Sequence, residues 1–147
     1  MRTCLSTFLL IALAASCTPR SEPPPSDAGA QGSEAPSRSI VDREWSLVQI
    51  GENSNPLGNG GNPVTLTFQS SDGRAFGNAG CNRYSGPYTL SGSSLTFGPA
   101  VSTKMACEQG TDVEIAFLSM LNGVRSYQAT DSSLTLVGES GPLARFR

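Results

Sequence analysis

Two cysteines in the middle of the chain, Cys81 and Cys107, constrain the fold more than any other feature of the sequence. They stand 26 positions apart and enclose two strand-like runs with the turn between them. A disulfide bond over such a span closes a covalent ring and contributes about 3 to 4 kcal/mol to stability. Small domains are stable by only about 5 to 15 kcal/mol in total. We therefore expect a structural bond and not a redox pair, which would favour Cys-x-x-Cys spacing.

The N-terminus predicts export and a lipid anchor. Residues 1–16 have the pattern of a lipoprotein signal peptide, because Arg2 precedes an apolar run at 5–15 that is too short to span a bilayer. The sequence LAASC at 13–17 resembles a bacterial lipobox, although its leucine stands one place further from the cysteine than usual. This predicts acylation of Cys17. An ordinary signal peptidase site that leaves Cys17 as a free thiol is the alternative.

Residues 17–39 are predicted to combine the acylated Cys17 with a tether. Positions 18–39 hold five of the ten prolines and contain no Leu, Ile, Val or aromatic residue. Such a segment buries too little apolar surface to offset its ordering entropy, so we expect it to be disordered. By resemblance to bacterial lipoproteins, Thr18 favours the outer membrane, since it is not the aspartate that commonly retains such proteins at the inner membrane. We therefore expect a lipid-anchored protein of the cell envelope, in the outer membrane and facing the periplasm.

The composition excludes several classes of function. With 10 basic and 12 acidic residues, the chain offers no polycationic face for nucleic acid. It has no histidine, which removes Ser-His-Asp and Cys-His catalysis and the usual zinc ligands. The carboxylates Glu108, Asp112 and Glu114 are explained by the favourable charge that they place at a helix N-terminus. We expect a monomer with no enzymatic activity, metal or cofactor, whose partners are the membrane and an envelope protein.

Alternating apolar and polar residues predict a mainly β (α+β) domain over residues 40–147. The predicted strands cover 44–50, 64–69, 74–78, 84–90, 94–98, 125–129, 134–137 and 143–146. Val101, Thr103 and Met105 continue the period of two and place Cys107 on the side of the core, while Pro87 predicts an edge or a bulge. About eight short strands indicate a small, strongly curved antiparallel sheet or barrel, which hides its edges.

One amphipathic helix is predicted to brace this sheet. The sequence TDVE at 111–114 is a capping box, in which Thr111 and Glu114 bond to each other's backbone. Apolar residues then recur at spacings of three and four and form a single stripe: Val113, Ala116, Phe117, Met120, Leu121 and Val124. Upstream, the glycines and asparagines of GNAGCN at 77–82 predict a tight corner with positive φ angles or closely approaching backbones.

Several of these segments together resemble the META domain family. The resemblance is carried by Trp45, by GCNRYSG at 80–86, by TKMAC at 103–107 and by the helix that ends in LNGV at 121–124. It implies a compact β domain with one helix, found in envelope or secreted proteins that are associated with stress tolerance. The resemblance transfers no catalytic residue to this chain.

Four positions of these motifs are the candidate binding residues: Asn82, Arg83, Tyr84 and Lys104. Arg83 and Lys104 are the basic residues nearest the two cysteines. They either line an anion site or are solvated residues with a structural role.

Two hypotheses of different classes follow for the function. The first is a non-catalytic envelope lipoprotein that supports stress tolerance, against heat or antibiotics, or maintains the envelope. The second is a periplasmic inhibitor that inserts the loop at 51–63, rich in Gly and Asn, into a hydrolase such as lysozyme or a protease. A third reading is a barrel that binds a small apolar ligand inside, since the pattern of strands does not show whether the interior is filled.

A variant with either Cys81→Ser or Cys107→Ser is expected to melt several degrees or more below the natural protein, because its unfolded chain regains the freedom that the ring removes. Calorimetry with and without reductant measures the effect. The variant serves as the control, since its melting point must not respond to reductant. An equal melting point of the natural protein in both conditions would refute a structural bridge.

Overall fold

The alternating pattern folds into ten antiparallel strands within residues 39–147, which are the part of the chain that the computed structural model describes. The strands are β1 (Glu44–Ile50), β2 (Asn53–Ser54), β3 (Thr65–Gln69), β4 (Arg74–Asn78), β5 (Arg83–Ser91), β6 (Ser94–Phe97), β7 (Val101–Ser102), β8 (Ser126–Ala129), β9 (Leu134–Gly138) and β10 (Gly141–Phe146). One α-helix, α1 (Thr111–Leu121), lies between β7 and β8, and a short 3₁₀ turn covers Asn59–Gly61.

Eight of the strands close into a barrel. Their order around it is β1, β3, β4, β5, β6, β8, β9 and β10, and β10 pairs back onto β1 with Leu47 opposite Phe146. The two remaining strands are additions, since β2 pairs with β1 and β7 pairs with β5. Closure removes the free edges that an open sheet would expose. The predicted small antiparallel barrel with one helix is confirmed.

Large side chains fill the barrel. The fully buried ones are Trp45, Phe68, Phe117, Phe146, Ile40, Leu66, Leu95, Leu134, Leu136, Val64 and Val124. Phe117 comes from α1, and its ring centroid lies 5.2 Å from that of Tyr84 and 6.5 Å from that of Phe146. The indole N–H of Trp45 donates to the carbonyl oxygen of Ile40 at 3.0 Å, which satisfies the one polar atom of this side chain. The helix therefore packs into the core as the sequence predicts.

The start of the helix differs from the prediction. Thr111 is not the N-cap: that position is Gly110, with a φ of 86°, and no side chain caps the helix. The carboxylate of Glu114 does not return to the helix backbone because it binds another segment of the chain. The predicted stripe is also too wide, since Ala116 is exposed. The buried positions of α1 are Glu114, Phe117 and Leu121.

The period of two does not continue through 101–107 as predicted. Val101 is 67% exposed and Met105 is 65% exposed, and β7 ends at Ser102. The N–H of Thr103 still bonds to the carbonyl oxygen of Arg83 in β5, but the N–H of Met105 bonds to the side chain of Asn82 and not to a strand. Pro87 does not lie at an edge, but the register shifts by one residue around it, since Ser85 pairs with Val101 and Tyr88 with Phe97, as at the predicted bulge. It stands inside β5, where the neighbouring strand on one side changes from β7 to β6.

Candidate functional site

The sequence GCN at 80–82 forms a junction, which we call the GCN junction, where three distant segments meet. Gly80 has a φ of 130°, and a side chain on it would place Cβ 2.6 Å from the carbonyl oxygen of Gly110. A side chain on Gly58 would lie 2.2 Å from the carbonyl oxygen of Gly80. That oxygen accepts a hydrogen bond from the N–H of Asn59 at 2.8 Å. The predicted tight corner is confirmed, and only glycine allows the backbones to approach this closely.

The second residue of the junction carries the predicted disulfide. Cys81 and Cys107 are bonded, and their Cα atoms lie 5.8 Å apart, within the usual range for a disulfide. Both cysteines are half-buried. The bond joins the chain just before β5 to the chain just before α1. It therefore anchors the irregular segment 103–109, most of which is exposed, at Cys107.

The third residue, Asn82, uses its whole amide to hold that segment and the helix. Its Oδ1 accepts from the hydroxyl of Thr103 at 2.8 Å and from the N–H of Met105 at 2.7 Å. Its Nδ2 donates to Oε1 of Glu114 at 3.2 Å and to the carbonyl oxygen of Met105 at 3.4 Å. A side-chain amide has two donor hydrogens and two acceptor lone pairs, so this buried amide is fully satisfied.

Glu114 is the helix residue that the junction holds. It is 9% exposed, and its Oε2 accepts from the backbone N–H of Asn82 at 2.6 Å. The first turn of α1 also places the carboxylate where the partial positive charge of a helix N-terminus stabilises it. Sequence reasoning assigned Glu114 a capping role and missed this bond. The available signal was its spacing of three and seven from Phe117 and Leu121, which puts an acidic residue on the buried face.

Tyr84 belongs to the core and not to a surface site. Its side chain is 4% exposed, and its hydroxyl donates to the carbonyl oxygen of Thr65 at 3.0 Å. Burial raises the pKa of this phenol well above 10, because the core disfavours the charged form. Asn82 and Tyr84 are two of the four candidate binding residues. Both thus use their side-chain polar groups in hydrogen bonds within the domain.

Arg83 and Lys104 are the two candidates that reach solvent. Both are exposed, and neither forms an ion pair with a carboxylate of residues 39–147. Arg83 lines two adjoining grooves on the outside of the barrel, with volumes of 370 Å³ and 220 Å³. Lys104 lines neither of them. The predicted set therefore divides into two structural residues and two surface cations. Cys17 lies outside the described residues.

The loop at 51–63 is exposed but bound to the junction. It contains β2 and the 3₁₀ turn, and an isolated bridge pairs Leu57 with Pro63. The side chain of Asn62 donates to the carbonyl oxygen of Asn59 at 2.8 Å. Gly60 and Gly61 form its exposed tip with φ angles of 66° and 77°. Hydrogen bonds of Asn59 and Asn62 therefore hold the backbone on both sides of this tip.

The buried side chains of the described residues have partners for their polar atoms. Within 39–147, no buried side-chain nitrogen or oxygen lacks a hydrogen-bond partner. The same part of the chain brings together no group of three or more His, Cys, Asp or Glu residues that could hold a metal ion. None of its helices has the length and apolar character needed to cross a membrane.

Comparison with known proteins gives a family and a shared fold. A family model described as the META domain matches residues 38–147. A protein from Burkholderia xenovorans, solved by NMR, is 31% identical, with a TM-score of 0.61 over 85% of this chain and 95% of that one. A second NMR structure is 23% identical, with a TM-score of 0.56 over 73% of this chain and 90% of that one. No curated protein matches.

A third solved structure shows the fold alone. It is the crystal structure of a DUF4847 family protein from Bacteroides vulgatus ATCC 8482, at 17% identity and a TM-score of 0.51. The match covers 73% of this chain and 92% of that chain.

Asn82→Ala is expected to destabilise the domain by about 2 to 3 kcal/mol, because Met105, Thr103 and Glu114 each lose a hydrogen-bond partner at a buried or half-buried site. Urea unfolding of the oxidised protein measures the loss. Arg83→Gln is the matched control at the next position, where the side chain is exposed, and it should change stability by less than about 0.5 kcal/mol. Equal costs for the two variants would contradict a structural role for the amide.

Proposed function

Because this chain belongs to the META domain family, we propose that it is a non-catalytic lipoprotein of the cell envelope that supports tolerance of heat and antibiotics or maintains the envelope. The observation that carries the proposal is the family match over residues 38–147. The structure supports the non-catalytic part, since Asn82 and Tyr84 of the most distinctive motif bond to other parts of the fold. What the domain offers a partner is its surface.

The proposed place of action follows from the N-terminal sequence. A lipid on Cys17 is the proposed membrane contact, in the outer membrane and facing the periplasm. The 22 residues at 18–39 would then let the barrel move about 25 Å from the membrane, if they behave as a flexible chain. Within this reach a monomer can meet both an envelope protein and the lipid surface.

Deletion of the gene is expected to lower survival after heat and in the presence of hydrophobic antibiotics, and the natural gene should restore it. Cys17→Ser removes the proposed acylation site without altering residues 39–147, so it should fail to restore survival while the folded domain remains. Plating efficiency across a panel of stresses is the measurement, with immunoblotting to verify that the variant accumulates. Unchanged survival of the deletion strain in every stress would count against the proposal.

Inhibition of a hydrolase is the second candidate, and the geometry of the loop at 51–63 favours it. An inhibitor loop gains affinity when its bound conformation is already fixed, because less entropy is lost on binding. The exposed tip at Gly60 and Gly61 is held in this way by Asn62 and by the bond from Asn59 to the GCN junction. The packed interior of the barrel, by contrast, gives no support to a ligand site inside it.

If the loop inhibits a hydrolase, purified protein should abolish the activity of lysozyme or of a protease at a stoichiometric ratio. A variant with Gly60→Asp and Gly61→Asp should lose this effect, since both residues adopt positive φ angles that aspartate tolerates less well and both lie at the tip. Glu139→Gln, an exposed residue outside this loop, is the control. Full hydrolase activity in the presence of excess natural protein would remove this candidate for the enzymes assayed.

A further inference from the structure

The register of five strands places one row of side chains across the outside of the barrel. Glu44 of β1 pairs with Thr67 of β3, which pairs with Phe76 of β4. Phe76 pairs with Ser85 of β5, which pairs with Val101 of β7. Paired residues of antiparallel strands point to the same face. Because the neighbouring pair Ala75 and Phe68 is buried in the core, this row faces outward.

A second row begins beside the first. Asn78 pairs with Arg83, and the carbonyl oxygen of Arg83 accepts a hydrogen bond from the N–H of Thr103 at 3.0 Å. The two rows line a groove with two compartments of 370 Å³ and 220 Å³, which share Phe76 and Arg83. Pockets for small organic ligands have volumes of about 300 to 1,000 Å³. The larger compartment is thus of sufficient size by itself.

A second cavity offers less room. A cleft beside Arg145 and Gln49 has a volume of 50 Å³. This is room for a few water molecules, since one water needs about 10 to 15 Å³ measured in this way. The outer groove is therefore the better candidate of the two.

The larger compartment combines one cation with apolar surface and hydroxyl groups. Its lining contains Arg83 and no acidic residue, while Ser85, Ser102 and Thr103 supply hydroxyls. A second cation stands beside it, because Nε of Arg74 donates to the hydroxyl of Ser85 at 3.1 Å. The only carboxylate of the groove, Glu44, lines the smaller compartment. The charge of the larger compartment therefore favours an anion.

The apolar part of the lining indicates what the anion is attached to. Phe76 is half-buried and Val101 is 67% exposed, although both are large apolar residues that gain by leaving water. Arg83 has no ion-pair partner among the described residues, and a guanidinium binds carboxylates and phosphates through two parallel hydrogen bonds. A ligand with an anionic group bound to Arg83 and an apolar body packed against Phe76 and Val101 would pair the guanidinium and remove the apolar side chains from water.

We propose that this outer groove, between β4, β5 and β7, binds a small amphipathic anion: a carboxylate or phosphate joined to an acyl chain or similar apolar body. The chemistry is shared by free fatty acids and by lipid phosphates. The proposal goes beyond the envelope role and does not rest on it, because binding to purified protein requires neither a membrane nor stress.

The test is a titration of the ¹⁵N-labelled chain without residues 1–17, which retains the whole closed barrel, followed by amide chemical shifts. The probes are octanoate, octyl phosphate and neutral octyl glucoside, each below its micelle concentration. The proposal predicts saturable shifts confined to β4, β5 and β7 with at least one of the two anions and not with octyl glucoside. Octanoate alone would assign a carboxylate source, and octyl phosphate alone would assign a lipid phosphate.

Two variants separate the groove from general attraction between charges. Arg83→Gln should weaken binding of the anion at least about tenfold, since it removes a charge-assisted contact. Arg145→Gln removes another exposed arginine outside the groove and should leave the affinity unchanged. Unchanged melting points show that both variants fold. The proposal is overturned if no anion binds at millimolar concentration, if octyl glucoside binds equally well, or if Arg83→Gln binds as the natural protein does.

Discussion

The carboxamide of Asn82 is the interaction on which the arrangement of the barrel, the helix and the segment between them depends. It bonds at once to Thr103 and Met105 on one side and to Glu114 of α1 on the other. A buried amide and a buried carboxylate are costly unless every polar atom has a partner. Here the amide of Asn82 and the carboxylate of Glu114 bond to each other. The helix can therefore enter the core only in the position that keeps the bond between these two side chains. Phe117 is then set between Tyr84 and Phe146.

The disulfide and the glycines make this bond geometrically possible. Cys81 precedes Asn82 directly, so its bond to Cys107 keeps the segment 103–109 within reach of the amide. Gly80 allows the backbone of Gly110 to pass within contact distance at the start of the helix. The GCN and TKMAC motifs therefore hold the barrel, the segment 103–109 and the helix together.

Much of the fold follows from local patterns, whereas the site does not. Alternation predicts strands such as Glu44–Ile50 and Thr65–Gln69, because a strand with one buried face repeats every two residues. The same pattern misleads at Val101, which pairs with Ser85 but faces outward, and at Met105, whose N–H bonds to Asn82 and not to a strand. TDVE at 111–114 satisfies the local rule for a capping box, and only the tertiary partner Asn82 decides that Glu114 serves another purpose. The outer groove depends on the register of five strands, which no single segment specifies.

Amide hydrogen exchange at Met105 tests the role of Asn82 most directly. Met105 is 65% exposed and lies in no helix or strand, yet its N–H donates to Oδ1 of Asn82 at 2.7 Å. The N–H groups of Lys104 and Ala106 bond to no acceptor among residues 39–147. We predict that the amide of Met105 exchanges much more slowly than both neighbours in the oxidised protein and that Asn82→Ala removes this protection. Exchange at Met105 as fast as at its neighbours would contradict a fold held together through Asn82.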